Sequence, residues 1–291
     1  MSPSLLQIVV LAVIQGLAEL LPVSSSAHVI VAEKLMRLEP SSPEMMFLLI
    51  MLHAGTMIAV IAYFWKSWSR NFFSSRAESK DIVLRIVVAS ALTAVVSVVL
   101  KIAIEKMVFH NRPGAAIEDL SSSLPLMAAA LAVAGVLIVV AGLGTRSPGP
   151  AADPADPIPI GSALAIGLVQ GVTLPFRGLS RSGTTISTAM LRGIPRRAAE
   201  EFSFALAVVI TPPIIGREFL RFHRARAAAH GSVRLAELVT PALVGMVFSL
   251  LAGLVALRWL SGWLEHGRWH YFGIYCFAAA AAVCGLAFMG Y

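Results

Sequence analysis

Gln15-Gly16-Leu17-Ala18-Glu19-Leu20-Leu21-Pro22-Val23-Ser24-Ser25-Ser26-Ala27-His28 begins inside an apolar run and carries a carboxylate, a proline break, three consecutive hydroxyls and an imidazole. A helix that merely crosses a bilayer has no use for this combination. Gln170-Gly171-Val172-Thr173-Leu174-Pro175-Phe176-Arg177-Gly178-Leu179-Ser180-Arg181-Ser182-Gly183-Thr184-Thr185 repeats the order: apolar run, Gln-Gly, proline, hydroxyl cluster. Laid over one another at the Gln-Gly pairs, Ser24 meets Ser180 after a one-residue slip. The site is expected where these two stretches meet.

The chain around them belongs in a membrane. It is 57% hydrophobic and 13% charged, with a mean hydropathy of +0.80, whereas a soluble domain carries roughly 25% charged residues. A bilayer span needs about 20 apolar residues. Runs at 44–65, 82–104, 124–144, 201–220, 238–260 and 270–290 come close to that. Four shorter pieces remain, at 4–21, 26–38, 161–174 and 183–193, and each motif stretch splits one pair. Half-length helices around a broken backbone read as re-entrant hairpins, because irregular backbone at membrane depth must be buried in protein or line a cavity.

The expected fold is therefore an all-α integral membrane protein, with six transmembrane helices and two re-entrant hairpins. Residues 1–291 form one membrane domain. Its first half, 1–145, holds hairpin 4–38 and three spans; its second, 161–291, holds hairpin 161–193 and three more. A Pro- and Ala-rich linker, 146–160, joins them. An odd number of spans per half inverts the second half, and inverted repeats with paired broken helices place a site at the repeat interface.

The net charge of +7 does not indicate nucleic acid, because the charges sit in short loops with no basic face interleaved with aromatics. Lys and Arg beside spans meet anionic headgroups. They divide almost evenly between the two sides, so the positive-inside rule does not orient the chain. The arginines at 217, 221, 224 and 226 read as a headgroup-facing helix end. Cys276 and Cys284 lack CxxC spacing and histidine partners and read as small buried residues. The first run has no basic region ahead of it and is not read as a removable signal peptide.

Glu19 is the only carboxylate deep in the first hairpin, and ionisable groups at such depth are usually functional. Ser24, Ser25 and Ser26 stand where N-cap residues stand, but capping explains only one of them. His28 lies about one turn into the following helix. In the second stretch, Ser180-Arg181-Ser182-Gly183-Thr184-Thr185 opens a short helix. Free N–H groups, hydroxyls and the positive end of a dipole make such a place an anion site. Arg181 adds a planar fork suited to phosphate. The spacing is not that of a P-loop, which also requires a lysine. The other histidines, His53 among them, form no metal-ligand spacing. Together these groups suit phosphoryl chemistry on a lipid, with a hydroxyl beside a base as the nucleophile, or a water activated by His28 or Glu19.

These motifs resemble those of a known family. Gln15 to Glu19 with Leu21 to His28, then Gly178 to Thr185, then Glu201-Phe-Ser-Phe-Ala-Leu-Ala207, are similar to the successive motifs of the bacterial undecaprenyl-diphosphate phosphatases, the bacitracin-resistance family. The resemblance runs over essentially the whole chain. It implies a bacterial inner-membrane enzyme that cleaves undecaprenyl diphosphate to the monophosphate and inorganic phosphate. That reaction recycles the carrier for peptidoglycan synthesis and confers bacitracin resistance. It further implies an active site facing the periplasm and a divalent cation, Mg²⁺ or Ca²⁺, with Glu19 as metal ligand.

Carried over by position, Glu19, Ser25, His28 and Arg181 are the catalytic set. Gln15, Ser24, Ser26, Arg177, Gly178, Ser180, Ser182, Gly183, Thr184 and Thr185 are the expected substrate-binding residues. Three positions depart from the family. Gln15 stands where many members have glutamate, Ala27 replaces a glycine, and Arg177 replaces a proline. The expected partners are the polyprenyl diphosphate and membrane lipids, without nucleic acid; a homodimer is left open. The rival reading is a transporter or flippase of polyprenyl phosphate lipids that uses the same pocket. A phosphatidic-acid-phosphatase-like enzyme is excluded: Lys106 to Arg112-Pro113 is one residue short of its first motif, and no histidine follows Ser180-Arg181 at the required distance.

Overall fold

The computed structural model describes residues 3–71, 76–109, 123–144, 158–228 and 235–290. Ten helices and no strands occur among them: α1 Leu5–Leu20, α2 Ser25–Leu35, α3 Pro43–Asn71, α4 Arg76–Phe109, α5 Leu124–Gly144, α6 Ile160–Thr173, α7 Arg181–Leu191, α8 Arg196–Ala228, α9 Leu235–Glu265 and α10 His270–Phe288. Six of these, α3, α4, α5, α8, α9 and α10, are long and apolar enough to cross a membrane. The long helices overrun the apolar runs at most ends, because flanking Lys and Arg continue a helix while their heads reach water. Most of the expected linker, 146–157, lies outside the described residues, as do Arg112, Pro113, His110 and His230; Ile160 is already helical.

Both expected hairpins are pairs of short helices. α1 ends where Pro22 denies it a further backbone donor, and α2 starts after only four residues. α6 and α7 are separated by 174–180, which contains Pro175 and Gly178. Gly178 has φ +104°, and a Cβ there would come within 2.6 Å of the Met127 carbonyl oxygen. Only glycine fits that turn.

The two halves pack in matching ways. α1 lies against α9, and α6 lies against α4; α3 packs on α8, and α5 on α10. A Cβ on Gly16 of α1 would strike the Ser249 carbonyl oxygen at 2.5 Å and the Ala252 Cβ at 2.7 Å. One on Gly171 of α6 would strike the Val96 Cβ at 2.7 Å and the Thr93 carbonyl oxygen at 2.9 Å. The paired Gln-Gly signature thus marks two close helix crossings, of the kind small residues permit in membranes. Gly135 and Gly273 meet each other where α5 crosses α10. This exchange of neighbours is compatible with an inverted repeat. Exposed apolar residues, such as Val95, Val99, Val136 and Ile274, cover the outside of the bundle, as a lipid-facing surface requires.

Candidate active site

Glu19 is the penultimate residue of α1. A carboxylate there faces the negative end of its own helix, an unfavourable place unless something opposes it. Two neighbours do. Arg181, the first residue of α7, donates from Nη2 to Glu19 Oε1 at 2.8 Å. Ser25, the first residue of α2, donates from Oγ to Oε2 at 2.5 Å. Gln15, one turn back on α1, donates from Nε2 to Oε2 at 3.2 Å. The two hairpins therefore meet at one carboxylate, whose side chain and that of Arg181 are only 18% and 17% exposed. The hairpins are tied a second time by Ser182, whose hydroxyl donates to the Leu21 carbonyl at 3.3 Å.

Arg181 keeps something in reserve. Its Nη1 is buried and has no hydrogen-bond partner among the described residues. Buried donors are normally paired, so an unpaired guanidinium nitrogen beside a cavity suits an anionic ligand. The cavity is a small cleft open to the outside, lined by Glu19 and Arg181 together with His53, Thr56 and Thr211. Met57, Val60 and Val208 add apolar wall.

His53 and Thr56 of α3 and Thr211 of α8 were not among the residues singled out from sequence. His53 donates from Nδ1 to the Leu49 carbonyl at 2.8 Å, since a carbonyl can only accept. A signal for it existed: it is an ionisable residue within the apolar run 44–65, the same anomaly that marks Glu19.

Several expected ligands have other duties. His28 donates from Nδ1 to the Ser24 carbonyl at 2.7 Å and meets the Tyr275 hydroxyl through Nε2 at 2.8 Å, with the two rings stacked. Both its nitrogens are used, and among the described residues none of its bonds reaches Glu19, Ser25 or Arg181. Ser24 adopts φ +68°, a conformation uncommon for a residue with a side chain, and its hydroxyl pairs with that of Ser26 at 3.3 Å.

In the second hairpin, Ser180 caps α7 by accepting from the Gly183 N–H at 3.2 Å. Thr184 donates back to the Ser180 carbonyl, and Thr185 to that of Arg181. Hydroxyls near a helix start often bond their own backbone in this way. All four hydroxyl residues, Ser182 included, are buried, and none lines the cleft. Gly183 makes room for the Ile138 side chain, which its Cβ would meet at 2.8 Å. Arg177 lies close enough to Glu33 of α2 for their charges to interact, and it too is absent from the cleft wall. Of the residues expected from sequence, Glu19 and Arg181 line the cleft; Ser25 does not line it and adjoins it through its bond to Glu19.

An all-helical membrane bundle, with two broken helix pairs joined at a part-buried Glu–Arg–Ser cluster beside an open cleft, is the class of protein that fold and site define. The chain matches the family described as Bacitracin resistance protein BacA over residues 8–282, and it belongs to that family. It is 53% identical to Undecaprenyl-diphosphatase 2 of Acinetobacter baylyi over 285 residues, covering 97% of this chain and 98% of the relative. It is also 33% identical to Undecaprenyl-diphosphatase of Desulfosudis oleivorans, covering 94% of each. The Undecaprenyl-diphosphatase of Rhodopirellula baltica is 28% identical, covering 96% of each.

Proposed function

We infer that the protein is an undecaprenyl-diphosphate phosphatase, which hydrolyses undecaprenyl diphosphate to undecaprenyl phosphate and inorganic phosphate. One observation carries the reading at the site: the hairpins bring a part-buried arginine, whose Nη1 has no partner among the described residues, together with a serine whose hydroxyl is bonded to a carboxylate. Binding alone has no need of the Ser25–Glu19 pair. A hydroxyl held by an adjacent base is the arrangement of an activated nucleophile. This favours hydrolysis over the transporter reading.

In the proposed reaction the polyprenyl tail remains among lipid and the diphosphate enters the cleft. Arg181 binds phosphate oxygens and stabilises the charge that spreads over them in the transition state. Ser25 Oγ forms a bond to the terminal phosphorus and passes its proton to Glu19. The bond from that phosphorus to the bridging oxygen breaks, and undecaprenyl phosphate leaves. Water then cleaves the phosphoserine, and the proton on Glu19 returns to Ser25.

Among the described residues, no three His, Cys, Asp or Glu side chains converge to hold a metal. Both oxygens of Glu19 are already engaged by Arg181, Ser25 and Gln15. These residues do not form a resident metal site. A Mg²⁺ or Ca²⁺ is instead proposed to enter on the oxygens of the diphosphate, where such cations commonly sit. The proposed setting is the bacterial inner membrane with the cleft facing the periplasm, where the reaction returns carrier lipid to peptidoglycan synthesis and lowers the amount of bacitracin's target.

The test is phosphate release from undecaprenyl diphosphate by purified protein, with and without EDTA, beside Arg181→Ala. Release by wild type that is lost in the folded variant supports the assignment. Binding of the lipid without release under any cation would overturn it in favour of transport.

A further inference from the structure

The sequence nominates His28 to exchange protons, yet its two nitrogens are taken up by the Ser24 carbonyl and the Tyr275 hydroxyl. The cleft has another imidazole. His53 comes from α3, lines the same wall as Glu19 and Arg181, and lies near enough to Glu19 for their charges to interact. Its Nδ1–H is fixed on the Leu49 carbonyl one turn back. That bond orients the ring and is compatible with both the neutral and the protonated imidazole. Nε2 has no protein partner among the described residues. The ionisable groups facing it in the cleft are Glu19 from α1 and Arg181 from α7; α8 contributes Ala207, Val208 and Thr211. On the side of α3 at Gly55, a Cβ would meet the backbone of Met246 and Leu250 of α9, which carry no ionisable group. Ser25 thus bonds the carboxylate from α2, while His53 lines the cleft beside it from α3.

We propose that His53 is a catalytic residue of this site: its Nε2 contacts the bound diphosphate and donates a proton to the oxygen that bridges the two phosphorus atoms as that oxygen leaves. The inference rests on the phosphatase reading and adds the acid that reading lacks. In the first step the Ser25 Oγ–P bond forms and the bridging P–O bond breaks. The serine proton goes to Glu19, and the Nε2 proton goes to the departing lipid monophosphate. In the second step water attacks the phosphoserine. One water proton restores Nε2–H, the Oγ–P bond breaks, and Glu19 returns its proton to Ser25. The sum is one water consumed and one phosphate released, with every group restored.

The experiment compares wild type with His53→Gln and His53→Asn on two substrates. One is farnesyl diphosphate. The other is its analogue with sulfur in place of the oxygen bridging the two phosphorus atoms, whose leaving thiolate does not need a proton. On the diphosphate, kcat is expected to fall about 10²–10⁴-fold, the range of general acid catalysis, with KM changed less than about threefold. On the sulfur analogue both variants should come within about tenfold of wild type. Asn retains a donor for the Leu49 carbonyl, so it separates loss of Nε2 from loss of ring support. An unchanged kcat, or an equal loss on both substrates in variants that melt like wild type, would overturn the proposal. Wild-type activity on either substrate is the separate check of the phosphatase reading: if wild type releases no phosphate, that reading fails before His53 is tested.

Discussion

The two hairpins have the same construction and unequal contents. Each is a short apolar helix, a proline-containing break and an 11-residue helix, and each is fastened to its neighbour through the glycine of a Gln-Gly pair. Yet Glu19 has no counterpart in the second hairpin, where Leu174 occupies the matching place. Gln15 donates to Glu19, while Gln170 is fully buried with neither Oε1 nor Nε2 hydrogen-bonded among the described residues. The opening residue of the second short helix is Ser25 in one hairpin and Arg181 in the other. A common frame therefore delivers a hydroxyl from one side and a guanidinium from the other to a single carboxylate. Shared architecture supplies position, and the differences supply chemistry.

The hardest blow to this division of labour is Glu19→Gln. It removes the negative charge and leaves one amide oxygen where Ser25 and Arg181 each had a carboxylate oxygen, and kcat is expected to fall by about 10³-fold or more, as when one member of a cooperative catalytic set is lost. Phosphate release under saturating substrate measures it; near-normal turnover would show that the meeting point is structural. Next come Gly16→Ala and Gly171→Ala. Both added methyl groups meet backbone or Cβ atoms under 3.0 Å away, so each should cost about 1–3 kcal/mol of stability through overpacking, seen as a lower Tm in detergent. Only Gly16→Ala should also reduce kcat, because α1 carries the reacting carboxylate and α6 carries none. Equal effects on kcat would erase the asymmetry.

A smaller effect is expected from Ser182→Ala. Loss of its bond to the Leu21 carbonyl should cost about 1 kcal/mol and lower kcat a few-fold by loosening one hairpin from the other. Tyr275→Phe should do least. It removes the partner of His28 Nε2 outside the Glu19 cluster, and a kcat change under about threefold is expected, on the scale of a part-exposed neutral hydrogen bond. A loss of 10²-fold or more would bring His28 back into the reaction.

Much of this frame was legible in the sequence because it rests on lengths and breaks. Apolar runs too short to span, interrupted by Pro22 and Pro175, leave few options in a bilayer. Glu19 and Arg181 were legible because a charge at that depth needs a partner, and each turned out to be the other's. His53, Thr56 and Thr211 were not, because which face of a long span turns inward depends on packing against other helices. The composition of α3 does not encode it locally, although His53 stood out as an ionisable residue in an apolar run. What the hydroxyls of the second motif do without a ligand was not legible for a related reason: Ser180, Thr184 and Thr185 bond the backbone of their own helix start. Arg177 likewise lies close to Glu33, a residue of the other hairpin that its own motif does not reveal.

The contact between Arg181 and Glu19 has a consequence for turnover. At 2.8 Å the two charges cancel at a distance, so the resting cleft serves as its own counter-ion and casts only a weak field over its mouth. On the proposed reading, an incoming phosphate meets the unpartnered Nη1 and competes with Glu19 for the rest of the guanidinium, and a diphosphate, with more charge than one carboxylate, competes better than a lone monophosphate. When cleavage reduces the lipid's charge, the balance would tip back towards Glu19. The pair that disfavours weak anions before the reaction would then favour release of the product after it.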